Sequence, residues 1–344
     1  MSNTKPLRIQ ELSGWRGIFI LMIFFHHVDL FPAGGTMGVA FFFLLGGFAM
    51  TLGYSEKVLE SSFRYGAYLT KRASRFYPIH WVVLFLFCIL NYLCSVPIGI
   101  TTFVPNFILL QSFIPDRAVY YAYNSPSWYL CNTLFFAALF PFIIKVLNKW
   151  REHLWFKILA GLLVAIYVIV LIFTPENWRH AILYINPFVR LMDYMVGILA
   201  GLWLVSYYKK ENEVPPPLLY TGIICSLVLL SLVVILPSQV RMFSVIFWVP
   251  ELGIIICTSL LSRVGRVWFL RSKFLVSFGE VSFAFYMLHS LCINIVQVAL
   301  FKFGTENQFM YVCCSLLLTI TLSYLATYYF ITPISKCLTS KLSK

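Results

Sequence analysis

The sequence predicts an all-α fold: a polytopic integral membrane bundle of about ten transmembrane helices with both termini cytoplasmic. Three observations predict it. Of the 344 residues 60% are hydrophobic and only 11% are charged, where soluble domains carry about 25% charged residues. Apolar runs of about 20 residues, enough to cross ~30 Å of hydrocarbon, follow one another along nearly the whole chain. The Lys and Arg residues gather in every second gap between those runs.

The runs lie near 13–32, 36–54, 76–95, 127–147, 155–173, 186–207, 217–236, 242–262, 276–299 and 308–332. The first contains RGIFILMIFFHHVDLF and stops at Pro32. The second contains GVAFFFLLGGFAMT. The third opens on KRASRFYPIHW, where a proline at a helix start is cheap because its missing N–H would be unpaired anyway. The fourth opens on Ser-Pro-Ser-Trp-Tyr-Leu, and the fifth is apolar almost throughout. The sixth begins at NPFVRLMDYMVGILAG. The seventh and eighth divide the stretch 217–262. The ninth contains VSFGEVSFAFYMLHS, and the tenth leads to the C-terminal segment.

Charge tests this layout independently. Lys5, Arg8 and Arg16 precede or open the first run, and Lys57, Arg64, Lys71, Arg72 and Arg75 follow the second. Lys145, Lys149, Arg151 and Lys157 follow the fourth, Lys209 and Lys210 the sixth, and Arg263, Arg266, Arg271 and Lys273 the eighth. Lys336, Lys341 and Lys344 end the chain. Of the 26 Lys and Arg, only Arg117, Arg179, Arg190, Arg241 and Lys302 fall on the other side. The positive-inside rule then puts both termini in the cytoplasm. The formal net charge of +13 reads as topology and as attraction to anionic head groups of the lipid bilayer, not as a signal for nucleic acid.

MSNTKPLRIQELSGWRG runs into the first helix without a small-residue cleavage site, so that helix is expected to be retained. Residues 1–344 are expected to form a single membrane domain without a soluble appended domain. The nine cysteines form no CxxC pair and no zinc-like spacing with histidine. They read as small core residues, and no metal is expected.

Function points first to Arg16 and His27. Eleven helical steps of ~100° bring two residues to within roughly 20° of one another around the axis, about 16 Å apart along it. His26 points roughly 80° away. A guanidinium and an imidazole on one stripe of a membrane-grade helix are costly to place in lipid and so mark a candidate functional site. The competing reading is a snorkelling arginine and a capped histidine. Lys71, Arg72 and Arg75 stand at the mouth of the third run, suited either to phosphate groups or to a plain positive-inside anchor. Arg190 and Asp193, three apart, share a helix face and are placed to pair. Asp29, Glu251, Glu280 and His289 add polar groups inside other runs, and Tyr286 lies near His289. Singly each suits structural glue; together they imply a polar cavity within the bundle.

At these residues the chain resembles a known family. LSGW followed by Arg16, ten residues and His27 is similar to the first-helix signature of the integral membrane acyltransferases of acyltransferase family 3. The resemblance continues in order through GVAFFFLLGGFAMT (38–51), KRASRFYPIHW (71–81), the Trp-Tyr-Leu start at 128–130, NPFVRLMDYMVGILAG (186–201) and VSFGEVSFAFYMLHS (276–290). Departures are Ala40 for a frequent Asp, Gly46 for a common Ser, and Cys131 and Asn132 where many members carry a carboxylate. The hydrolase-like domain fused to some members is absent from the sequence.

The resemblance implies transfer of an acyl group, usually acetyl, from a coenzyme A thioester to a hydroxyl of an extracytoplasmic carbohydrate. The expected enzyme is an O-acetyltransferase of the bacterial cell inner membrane, with lipopolysaccharide O-antigen as the leading acceptor. Acetyl-CoA is then a substrate, and no bound cofactor is expected. His27 is the base or acyl carrier, since imidazole titrates near neutrality and serves in either role. Arg16 orients the donor, and Lys71, Arg72 and Arg75 bind its phosphates. Arg190 and Asp193 are candidates for positioning the acceptor, with Trp128 as a stacking surface for a sugar and His289 beside them. The rival classes are a polytopic transporter using the buried Arg, Asp, Glu and His as a proton or solute pathway, and a polysaccharide-export component. Against a transporter, no inverted repeat or pair of matching broken helices is visible.

Overall fold

A computed structural model describes residues 9–148, 153–209, 214–264 and 267–340. Lys5, Arg8, Lys149, Arg151, Lys210, Arg266, Lys341 and Lys344 of the charge pattern lie outside the described residues. Among the described residues there is no strand. In chain order the helices are α1 (Gln10–His27), α2 (Gly34–Leu59), α3 (Tyr65–Leu93), α4 (Ile100–Phe107), α5 (Arg117–Tyr120), α6 (Ser127–Leu147), α7 (His153–Phe173), α8 (Pro187–Lys209), α9 (Pro216–Val234), α10 (Ser238–Arg241), α11 (Val245–Arg263), α12 (Lys273–Lys302), α13 (Gln308–Leu325) and α14 (Thr332–Ser340). A π-helical turn, Ala326–Ile331, joins the last two.

Helices occupy all ten predicted runs. Among the described residues α2, α3, α6, α8, α9, α11, α12 and the joined α13–α14 are each long and apolar enough to cross a membrane. Lys157–Phe173 and Glu176–Ile185 make a further pair, bent by 120° at the break between them. The chain is a multi-pass membrane protein. Helix α1 is the exception in composition, because Gln10, Glu11, Arg16, His26 and His27 dilute its apolar residues. It packs against α2, α11 and α12 instead of presenting a wholly greasy face to lipid.

Two boundaries differ from expectation. The first helix ends at His27, not near Pro32. Asp29 adopts φ +60, its N–H bonds to the His26 carbonyl, and the Leu30 N–H bonds to the Phe25 carbonyl. This is a left-handed C-terminal cap, and Asp tolerates the conformation better than most residues. Asp29 therefore serves the turn. Helix α3 begins at Tyr65, about a turn and a half before Lys71, so Pro78 lies well inside it and not near its start. A proline there removes one helical hydrogen bond. At 29 residues, α3 is about 43 Å long, more than the ~30 Å hydrocarbon thickness.

Helix α3 also explains several polar side chains. Tyr77 Oη donates to the Ile108 carbonyl at 3.1 Å, His80 Nε2–H to Asn106 at 2.8 Å, and Trp81 Nε1–H to Phe107 at 3.1 Å. Three consecutive carbonyls at the end of α4 thus accept from one face of α3, that of Asn106 accepting from the Leu109 N–H as well. His80 is thereby structural.

The helices at the centre touch through glycine. A Cβ on Gly47 would collide with the Tyr194 carbonyl, and one on Gly197 with the Leu44 carbonyl. That contact brings α2 and α8 together backbone to backbone, as small residues do between membrane helices. A Cβ on Gly279 would likewise collide with the Ser13 carbonyl, so α1 and α12 cross as closely. Their N-terminal ends are tied by an ion pair between the fully buried Glu11 and Arg271. Ser262 Oγ donates to the other Glu11 oxygen at 2.8 Å, and Trp15 Nε1–H donates to Thr258 Oγ1 at 3.0 Å.

The cysteines depart from the core role. Cys131 and Cys292 are buried, but Cys94, Cys225, Cys313 and Cys337 are exposed. In a membrane chain the lipid-facing surface is as apolar as the interior, so a small apolar residue fits either.

The α1–α12 crossing sets a test. Gly279→Ala should cost about 1–3 kcal/mol, as overpacking does, and should lower the thermal midpoint in detergent. Gly53→Ala, in the same kind of helix but with nothing within 4 Å of the added carbon, should be neutral or stabilising by about 0.5–1 kcal/mol. Equal midpoints for the two variants would contradict the close crossing.

Candidate active site

Arg16 and His27 both turn toward α12. Arg16 Nη2 donates to Ser282 Oγ at 2.8 Å, and Ser282 Oγ donates in turn to the Gly279 carbonyl at 2.8 Å. At the far end of α1 the His27 ring lies against that of His289, centroids 4.7 Å apart and planes at 52°. Successive contacts of α1 climb α12 in the same order, Ser13 on Gly279, Arg16 on Ser282 and His27 on His289, so the two helices run parallel. Ser282, Tyr286 and His289 are spaced four and three apart and share one face. The stripe read on α1 thus meets a polar stripe on α12.

The two histidines of α1 are separated in role. His26 Nδ1–H donates to the Pro32 carbonyl at 2.9 Å, and its ring fills the space above Gly35, bracing the α1–α2 turn. His27 is solvent-accessible and is the last residue of α1. His289 is fully buried, and its Nδ1–H donates to the Tyr286 carbonyl at 2.7 Å.

An aromatic wall leads away from this pair. The Tyr286 ring lies 5.6 Å from His289 and 5.0 Å from Tyr129, and Tyr129 stacks on Phe43 at 4.5 Å. Trp128 is 4% exposed, with Phe43 edge-on and Tyr184 tilted against it at 5.1 Å. Packed so, it is a wall element with little of its face open.

Arg190 and Asp193 pair as their spacing predicts, Nη1 to Oδ2 at 2.9 Å, with exposures of 1% and 0%. Arg190 Nε–H donates to the Tyr184 carbonyl at 2.7 Å, and the guanidinium lies over the Tyr184 ring at 4.7 Å. Asp193 Oδ1 accepts from Trp248 Nε1–H at 2.6 Å. Both Asp193 oxygens are used and both residues are buried, so the pair braces Tyr184, α8 and α11. Glu251 of α11 is fully buried, and neither carboxylate oxygen has a hydrogen-bond partner among the described residues.

The three cations of α3 divide. Lys71 and Arg75, four apart, are exposed on one side. Arg72 turns inward, with its guanidinium 4.4 Å from the Tyr54 ring centroid and 5.5 Å from that of Tyr68. Its Nε and Nη2 are buried with no acceptor among the described residues. Helices α1, α2 and α3 alternate in direction, so these cations lie at the end of the bundle that carries the start of α1, the Arg16 end. Among the described residues no three His, Cys, Asp or Glu are arranged to hold a metal ion.

The profile of the acyltransferase domain matches residues 9–328. The chain belongs to acyltransferase family 3. Acyltransferase MdmB of Streptomyces mycarofaciens is 24% identical over 339 residues, covering 84% of this chain and 80% of that protein. Protein 2 in picA locus of Rhizobium radiobacter is 32% identical over 106 residues, covering 30% of this chain and 55% of that protein. No solved structure matches the chain significantly. The protein is an enzyme, an acyltransferase, and its buried ionisable groups are to be read as parts of an acyltransferase before parts of a transporter.

Three residues that shape the candidate site were not singled out from sequence. Ser282 and Tyr129 have hydroxyl side chains common in any helix, although Ser282 shares the i, i+4, i+7 face with Tyr286 and His289. Glu11 finds its partner 260 positions away, and no local spacing announces that.

Removing one partner of a buried ion pair costs about 3–5 kcal/mol. Arg190→Ala and Asp193→Ala should each destabilise the acyltransferase by that order in detergent unfolding, with the paired Arg190→Met/Asp193→Leu variant recovering part of it. A stable Arg190→Ala protein whose only defect is a raised KM would instead make Arg190 a substrate ligand.

Proposed function

We propose that this acyltransferase is a membrane O-acetyltransferase that moves an acetyl group from acetyl-CoA to a hydroxyl of a bacterial surface carbohydrate. Lipopolysaccharide O-antigen is the leading acceptor, the inner membrane the location, and the cytoplasm the side of both termini. The observation that carries the reading is the direction of Arg16 and His27. Both point to one face of α12, at opposite ends of a stripe about 16 Å long.

The charge pattern sets the direction of transfer. In the proposed orientation the Arg16 end faces the cytoplasm, where Lys71, Arg72 and Arg75 would meet the donor's phosphates. The two buried, unfilled donor nitrogens of Arg72 support that role, because a phosphate oxygen is the kind of acceptor they lack. Arg16, held on Ser282, would hold the donor along the stripe so that its thioester extends toward His27. His27, accessible and nearer the external face, would take the proton from the sugar hydroxyl as its oxygen bonds to the acetyl carbon. The C–S bond then breaks, and the departing sulfur collects that proton from the imidazole. In the carrier version the His27 nitrogen first displaces the thiol to give an acetyl-imidazole, which passes the acetyl to the hydroxyl while the hydroxyl proton returns to the imidazole.

Expression in a bacterium with a defined surface polysaccharide should add acetyl units that mass spectrometry detects and mild base removes. His27→Ala should reduce that signal by about 10²-fold or more while the protein stays folded, and His26→Ala should be milder. Arg72→Ala should raise KM for acetyl-CoA more than it lowers kcat. An unchanged glycan mass with the wild-type chain, or full acetylation by a folded His27→Ala variant, would refute the assignment.

A further inference from the structure

His289 lies wholly out of solvent. Its Nδ1 is 2.7 Å from the Tyr286 carbonyl, and a carbonyl only accepts, so Nδ1 carries the proton. In the neutral ring Nε2 is then a bare acceptor. That Nε2 is buried and has no hydrogen-bond partner among the described residues. An unsatisfied buried polar atom costs about 1–3 kcal/mol, so its persistence calls for a use. The nearest ring to His289 is that of His27, 4.7 Å away between centroids, against 5.6 Å for Tyr286 and 6.4 Å for Phe285, and an imidazole N–H can donate.

We propose that His289 is the positioning residue of His27. Resting on the reading of His27 as the reacting imidazole, the assignment gives His289 Nε2 the task of accepting the N–H of His27. That hydrogen bond would select one His27 tautomer and turn the opposite nitrogen, lone pair outward, toward the substrates. The Tyr286 carbonyl stands behind His289 as the group that fixes its own tautomer. The arrangement is a relay of three, carbonyl to imidazole to imidazole, with no carboxylate in it.

The test compares His289→Gln, His289→Asn and His289→Leu in full-length protein in membranes, with acetyl-CoA and the host polysaccharide that the wild-type chain acetylates. Gln places its amide oxygen near the Nε2 position, Asn near Nδ1 only, and Leu keeps bulk without an acceptor. The expected result is a kcat loss of about 10–100-fold for Leu and Asn, unchanged KM for acetyl-CoA, and recovery to within about tenfold for Gln. In a His27→Ala background the His289 substitutions should add no further loss. Leu as active as wild type, Gln no better than Asn, or losses that multiply in the double variants would each overturn the positioning role. A purely packing role would favour Leu over the two amides, the reverse order. Should Leu fail to accumulate, the Gln–Asn comparison decides alone. An active His27→Ala single variant, by contrast, would sink the functional reading itself, whatever the His289 series shows.

Discussion

A guanidinium inside a membrane bundle must be met by protein, because hydrocarbon offers it nothing. Arg16 is met by Ser282, and that contact exists only because Gly279 lets the backbone of α1 come against α12 at Ser13. From this one close crossing the rest follows. The helices run parallel, Glu11 reaches Arg271 at one end, and His27 reaches His289 at the other. A side chain at position 279 would push α1 outward, and the charge on Arg16 and the ring of His27 would lose their partners together.

The interior holds two polar centres with different characters. On α1 and α12 the groups are loosely held: His27 is accessible, and His289 keeps an unfilled acceptor. On α8 and α11 they are tightly held: Arg190, Asp193 and Trp248 exhaust most of one another's capacity. A buried pair of the second kind serves as a brace and contributes little to stability by itself, since desolvation cancels much of the attraction. A centre of the first kind keeps valence for a substrate. The aromatic wall of Tyr286, Tyr129, Phe43, Trp128 and Tyr184 joins the two, so the brace also stiffens the wall beside the rings of His27 and His289.

Much of this was legible in the sequence, for reasons that differ residue by residue. Apolar runs and alternating charge disclosed the helices, because bilayer thickness and helix rise leave few other solutions. The Arg16–His27 stripe and the Arg190–Asp193 pair were legible because helical spacing is local arithmetic. The end of α1 was not, because Asp29 in a left-handed cap looks like any acid before a proline. The start of α3 was missed because its first turns carry Lys71, Arg72 and Arg75 and interrupt the apolar run. Trp128 appeared as a platform when only its position was known; its burial depends on Phe43 and Tyr184 from other helices. The His27–His289 contact joins residues 262 positions apart, and only the α1–α12 crossing brings them together.

Cross-linking tests that crossing most directly. In a chain with its native cysteines replaced, His27→Cys paired with His289→Cys should be joined rapidly by oxidation or a short bifunctional reagent in intact membranes. His26→Cys paired with His289→Cys should link far more slowly, since position 26 faces the α1–α2 turn. Equal rates for the two pairs, or no link at 27–289, would contradict the parallel seating of α1 on α12 and with it the active site.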